Sequence, residues 1–190
     1  MTCSRAGRAF GREDRPDNAE IRRFRAVFWR RLDAMKLDRF DRQLLNLVQE
    51  DAGRTSEDLA QRVALSPSAV QRRLRKLKEA GVIVRQTAIL EPRKVGRPTF
   101  FIVSLEVERD RPELLNQLRA WLAAQEHVQQ AFYVTGEADF ILIVTAPDAE
   151  SYEALMARLL ADNPNVRRYT TSVAMSVLKR GLDVPVPPGD

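Results

Sequence analysis

Five basic residues, Arg72, Arg73, Arg75, Lys76 and Lys78, fall within seven positions of the stretch LSPSAVQRRLRKLKEAGVI, Leu65 to Ile83. Their chemistry is anion recognition rather than bond making. Guanidinium and ammonium groups donate to phosphate oxygens, and arginine can also pair bidentately with a guanine edge, as Gln71 can with adenine. A merely solvated helix face mixes Glu with Lys. Here five positive charges precede the first negative one, Glu79. Unbalanced charge of this kind repels itself unless a polyanion is near, and the simplest such polyanion is duplex DNA.

The elements that must hold these residues are legible around them. Ser66 is a cap, Pro67 suits the first helical position because its missing N–H costs nothing there, and Gly81 ends the helix. On a helical wheel Val70, Leu74 and Leu77 fall together and must pack inward. Ser68, Arg72, Arg75, Lys76 and Glu79 collect on the opposite side, with Gln71 and Lys78 on one flank. Upstream, Asp38 can cap a helix whose apolar face is Phe40, Leu44, Leu45, Leu47 and Val48, with Gly53 beyond its end. Thr55 or Ser56 can cap a second, with Leu59, Ala60 and Val63 inward. Three short helices followed by VIVRQTAILEP predict a helix-turn-helix backed by a strand or hairpin.

In that unit the second helix of the motif enters the major groove by its N-terminal residues. Ser68, Gln71 and Arg72 are then placed for base edges, with Ser66 beside them at the cap. Arg73, Arg75, Lys76 and Lys78 are placed for phosphates.

Beyond PRKVGRP, residues 92–98, which reads as a linker, the pattern changes. TFFIVSLEVE alternates as a strand with Phe101, Val103, Leu105 and Val107 on one face. PELLNQLRAWLAAQ is helical through Leu114, Leu115, Leu118, Trp121 and Leu122. Two strands follow, VQQAFYVTG and ADFILIVTA, joined through Gly136-Glu137. A helix capped near Asp148 and a last strand, VRRYTTSVAMSVLK, complete the order β-α-β-β-α-β, the ferredoxin-like unit.

Charge divides the same way. The net charge is +5, with residues 36–97 at +6 and residues 98–190 at −5, so one half suits a polyanion and the other does not. No apolar run approaches the ~18 residues that span a bilayer, and the start shows no secretory signal, which predicts a soluble, cytoplasmic protein. The single cysteine, Cys3, can make neither an internal disulfide nor a cysteine-based metal site. The sole histidine, His127, sits at a helix-to-strand junction without partners for a metal. There is no nucleophile elbow, phosphate loop or zincin helix. Catalytic residues, metals and cofactors are therefore all read as none.

The reading divides the chain into a basic extension (1–35), a helix-turn-helix domain (36–91), a linker (92–98), a ferredoxin-like domain (99–180) and a tail (181–190). In the extension Ile21, Phe24, Phe28, Leu32 and Met35 recur at helical spacing, as an amphipathic surface helix would. A poorly ordered extension, or leader upstream of a start at Met35, is the stronger reading.

KLDRFDRQLLNLVQEDAGRTSEDLAQRVALSPSAVQRRLRKLKEAGVI, followed by VTGEADFILIV in a ferredoxin-like domain, resembles the Lrp/AsnC (leucine-responsive, feast/famine) family of transcription regulators over roughly residues 36–180. The resemblance implies an α+β protein: a (winged) helix-turn-helix domain plus a ferredoxin-like, ACT-like domain that regulates amino-acid metabolism. It implies facing sheets that build a homodimer, dimers that assemble into tetramers, octamers or larger rings, and promoter DNA as partner. It also implies a small effector, usually an amino acid, at an interface between dimers. The pocket residues it implies are Thr135, Gly136, Glu137 and Asp139 of the Gly-Glu-Ala-Asp turn, with Thr170 and Ser172 on the last strand. Family members often carry an aromatic residue where Ser172 aligns. By chemistry alone, Asp139 could hold an ammonium group or order its loop, and the bland alternative is a tight turn capped by Asp139 itself. Two other functions fit the same layout: a haem-pathway decarboxylase-like enzyme, and a metabolite-binding oligomer without a DNA role.

Overall fold

A computed structural model describes residues 36–96 and 98–188; the expectations for the N-terminal extension and for Cys3 lie outside these residues. Helix α1 (Arg39–Glu50) begins where Asp38 accepts from the Asp41 N–H while the Asp41 side chain accepts from the Asp38 N–H, a reciprocal capping box. It ends at Asp51 in extended conformation, and Gly53 donates its N–H to the Asp51 side chain rather than forming a left-handed cap. Helix α2 (Ser56–Val63) is capped by the Thr55 hydroxyl. It closes through Ala64 in the left-handed conformation, φ 54°. Helix α3 (Pro67–Glu79) starts at Ser66, whose hydroxyl accepts from the Ala69 N–H, with Pro67 in the first turn. Gly81, φ 71°, follows its end, and the Val82 and Ile83 N–H groups close onto the Leu77 carbonyl. Leu44, Leu59, Ala60, Val63 and Val70 form the core of these helices, flanked by Phe40, Leu47, Val48, Leu65 and Leu74.

The strand or hairpin expected directly behind α3 does not form. Residues 82–91 carry no strand, and Val84, 87% exposed, and Ile89, 71% exposed, project into solvent. The stretch is rich in β-branched residues, but among the described residues no strand lies beside it to complete a ladder. A 3-10 turn (Pro92–Lys94), capped by the Glu91 carboxylate, follows.

The second unit is a βαββαβ domain: β1 (Thr99–Val107), α4 (Pro112–Ala124), β2 (Val128–Tyr133), β3 (Phe140–Ala146), α5 (Ala149–Asp162) and β4 (Val166–Val173). The sheet order is β2-β3-β1-β4, with every neighbouring pair antiparallel. Period-two burial on β1 and β3 puts Phe101, Val103, Leu105, Phe140, Leu142 and Val144 under the helices, against Leu115, Leu118, Leu122, Leu155, Met156 and Leu159. The Tyr152 ring stacks on Phe101 at 4.0 Å, and its hydroxyl meets that of Thr171 at 2.5 Å. The Trp121 indole N–H donates to Asp162 at 2.8 Å and so ties α4 to α5.

Residues 90–177 form one compact unit, and the described residues up to Ile89 form the other together with the segment from Leu178 onward. The tail thus groups with the three-helix unit.

Candidate nucleic-acid interface and ligand-domain turn

Burial of Val70 and Leu77, with Leu74 packed beside them, fixes which way α3 faces. Ser66, Ser68, Gln71, Arg72, Arg75, Lys76 and Lys78 are directed away from that core, and all seven are exposed. The first turn of α3 carries no acidic residue and its last turn carries Lys76 and Lys78. The N-terminal end, where orphan N–H groups favour an anion, therefore has no carboxylate competing for that place. The Ser66 hydroxyl is engaged locally, by the Ala69 N–H and by Ser68 Oγ at 3.1 Å. Lys78 Nζ donates to Gln86 Oε1 at 3.2 Å and ties the end of α3 to the segment that follows it.

Arg73 differs from its neighbours. It is half-buried, and its Nη1 donates to Asp38 Oδ2 at 2.7 Å and to Asp41 Oδ1 at 2.8 Å. Its guanidinium also lies 5.4 Å from the Phe40 ring centroid. Desolvation alone would raise the Asp38 carboxyl, but the hydrogen bond from the Asp41 N–H and the Arg73 guanidinium outweigh it and hold Asp38 below its ordinary value. Charge alone groups Arg73 with the residues expected to contact phosphate; its hydrogen bonds to Asp38 and Asp41 instead clamp α3 to the start of α1. The wheel carries part of this signal, since Arg73 lies between the Val70–Leu74–Leu77 stripe and the outward face. The Asp38–Asp41 pair opening α1 is the other half.

In the second domain the turn between β2 and β3 exposes Thr135, Gly136 and Glu137. Gly136 has φ 132°, and a Cβ built there would meet nothing within 4 Å, so backbone conformation rather than space requires glycine. Asp139 is half-buried and looks away from the turn. Its Oδ2 accepts from the Val107 N–H at 2.8 Å, its N–H donates to the Leu105 carbonyl, and its carbonyl accepts from the Val134 N–H. Of the two roles open to it, ordering the loop is the one this geometry supports.

Thr170 and Ser172 are exposed on β4 opposite Ser104 and Ile102, on the face away from the helices. The row Phe140–Leu105–Tyr169 carries the turn's end of the sheet across β3, β1 and β4. Two strand spacings, roughly 10 Å, therefore separate the turn from β4, and Ser172 lies about 10 Å further along the strand. The chain alone does not bring the two groups together. Beside the turn, the Tyr133 hydroxyl donates to Asp110 at 3.3 Å and Arg119 lies 5.1 Å over the Tyr133 ring. Burial first, and then Asp110, push the Tyr133 phenol up from its ordinary value. That cluster has no signature in the sequence, because its members come from three separate segments.

His127 lies between α4 and β2, 3.6 Å from Glu126. Among the described residues no group of three or more His, Cys, Asp or Glu could hold a metal ion, and no helix is long and apolar enough to cross a membrane.

A three-helix unit with an exposed basic third helix, joined to a separate βαββαβ domain, defines a DNA-binding regulator that carries its own ligand module. Residues 37–84 match the winged helix-turn-helix DNA-binding model, and residues 101–184 match the Lrp/AsnC ligand binding domain. An uncharacterized HTH-type transcriptional regulator of Sinorhizobium fredii is 43% identical over 80% of this chain and 90% of its own. The leucine-responsive regulatory protein of Salmonella typhimurium is 32% identical over 76% of this chain and 88% of its own. An AsnC family regulator from Agrobacterium tumefaciens superposes with a TM-score of 0.71 at 32% identity, covering 78% of this chain and 97% of that one. A Neisseria meningitidis transcriptional regulator, solved as an L-Met complex, gives 0.70 at 27% identity, covering 79% of this chain and 97% of that one. The chain belongs to the Lrp/AsnC family of DNA-binding transcriptional regulators.

Proposed function

We propose that Ser68, Gln71 and Arg72 at the N-terminal half of α3 read base edges in the major groove, while Arg75, Lys76 and Lys78 contact phosphates. The observation that carries this reading is the exposed basic face of α3, from which Arg73 is withdrawn by Asp38 and Asp41. Ser66 acts as the helix cap and presents the first turn. The protein works on promoter DNA in the cytoplasm, associated with the nucleoid, and we assign it no catalytic activity; its relatives are transcriptional regulators.

The active form is a homodimer that assembles further, to a tetramer, octamer or larger ring. Support comes from the face of the sheet that the helices leave open, where Ile102 is 41% exposed and Phe132 48% exposed. The effector is a small molecule, an amino acid, as the L-Met complex of the Neisseria meningitidis regulator suggests. It binds the turn Thr135–Gly136–Glu137, with Asp139 holding that turn in shape, and Thr170 and Ser172 contributed from a second copy. Effector binding changes how dimers associate, and so how many DNA sites are engaged together. The test is Arg72→Ala on a panel of single-base variants of the bound site. A base reader loses about 1–3 kcal/mol and relaxes preference at one position. A loss spread evenly over all sequences would reassign Arg72 to phosphate.

A further inference from the structure

Along the outer side of α1, three side chains grip the backbone of the C-terminal segment. Asn46 donates Nδ2 to the Val186 carbonyl at 3.0 Å and accepts from the Val186 N–H at 3.3 Å. Gln49 donates Nε2 to the Val184 carbonyl at 3.0 Å and accepts from the Val184 N–H at 2.7 Å. Arg42 Nη1 donates to the Pro187 carbonyl at 3.1 Å. Each amide side chain thus forms a two-bond rung with one residue of the tail, as a strand partner would. The tail runs antiparallel to the helix, Val184 over Gln49 and Pro187 over Arg42.

The tail sequence fits this use. Residues 184–188 read VPVPP, so Val184 and Val186 carry the only backbone N–H groups in that stretch, and both are taken. The prolines hold it extended before it docks, which lowers the entropy lost on docking. An ordinary chain terminus frays; this stretch has every available donor paired. The match to the Lrp/AsnC ligand-binding model ends at residue 184, so Val186 and Pro187 lie beyond the residues that match that model.

We infer that Arg42, Asn46 and Gln49 form a docking site for the chain's own C-terminal Pro-rich segment, which acts as a second tether between the DNA-binding unit and the ligand domain. The chain leaves the DNA-binding unit after Ile89 and returns to it at Leu178. Both connections depart from the same end of two neighbouring strands, β1 and β4, because Phe101 pairs with Val173 and the Ala174 N–H donates to the Phe100 carbonyl. The second tether is the direct continuation of β4, the strand that carries Thr170 and Ser172. A unit held by two adjacent tethers has fewer orientations than one held by a single flexible linker. The tether therefore narrows the range of half-site spacings that a pair of α3 helices can engage.

The test uses the full chain and the double variant N46A/Q49A. Both side chains lie on the outer side of α1, and alanine is the better helix former, so weakening of α1 does not explain a loss. Amide exchange at Val184 and Val186 is expected to be slowed about tenfold or more in the wild type and to become fast in the variant, with the Leu44 and Leu59 amides unchanged. Fast exchange in the wild type, or protection that survives in the variant, overturns the clamp. DNA carrying two half-sites at graded separations supplies the second readout, which rests on the DNA reading proposed above. The variant is expected to bind a wider range of spacings at unchanged single half-site affinity; an unchanged spacing profile overturns the tether. Absence of any DNA binding would sink the DNA reading instead, and the exchange result would still decide the clamp.

Discussion

Arg73→Ala and Arg75→Ala separate an arginine engaged within the fold from an exposed one, two positions away, that we propose contacts DNA. In the folded chain Arg73 touches two carboxylates. The Asp38 side chain is 47% exposed, so solvent screens that contact and it is worth about 0.5 kcal/mol or less. The Asp41 side chain is only 12% exposed, and removing its partner leaves a largely desolvated carboxylate. Adding the stacking over Phe40, Arg73→Ala is expected to destabilise the DNA-binding unit by about 1–2 kcal/mol. Arg75→Ala, on an exposed site, is expected to stay within about 0.5 kcal/mol of wild type. Exchange of the buried Leu44 and Val70 amides reports this unit alone, which a global melt of a two-unit protein does not. Anisotropy titrations at graded salt supply the second axis. The salt slope is expected to fall by about 1 for Arg75→Ala and to stay unchanged for Arg73→Ala. An Arg73→Ala protein as stable as wild type, with a salt slope reduced by about 1, would refute the division between the two arginines.

Three further outcomes follow from local geometry. Ala64 holds a left-handed conformation that glycine adopts without strain, so Ala64→Gly is expected to stabilise the three-helix unit by about 0.5–1 kcal/mol, read from the same amides. Asp139→Ala leaves the partly buried Val107 N–H without its acceptor and is expected to lower the stability of the ligand domain by about 1–2 kcal/mol, seen as faster exchange in β1. Because the Asp38 carboxyl lies below its ordinary 3.8 in the folded chain, its contribution is fully present above that value and is lost as pH falls through the folded one. Exchange of the Leu44 amide between about pH 5 and about pH 2 is thus expected to show an acid-labile component that Asp38→Asn removes; an identical acid profile in the variant would refute it.

Much of this is legible in the chain. The caps at Asp38, Thr55 and Ser66, the stop at Gly81 and the inward stripe of α3 depend on local chemistry, and local chemistry is what sequence carries. The βαββαβ order follows from periodicity that switches between two and 3.6 residues. What escapes is non-local. The pairing of Arg73 with Asp38 crosses 35 residues, and a wheel shows direction without showing what waits there. VIVRQTAIL is rich in β-branched residues as a strand is, but pairing needs a neighbour that no single segment announces. The tail reads as a plain terminus because its partners, Asn46 and Gln49, lie 140 and 135 residues away and look like ordinary polar positions of a helix. The turn at Gly136 is marked by its glycine, yet the aim of Asp139, toward Val107 rather than outward, depends on how β3 lies against β1.

The most direct test of the account is anisotropy binding of the full chain to its own upstream promoter DNA and to a scrambled duplex, at two salt concentrations, with and without a pool of amino acids. Selective, salt-sensitive binding that shifts with one amino acid is the expected result. Equal binding to both duplexes at either salt, or none, would contradict the reading built on Arg72 and Arg75.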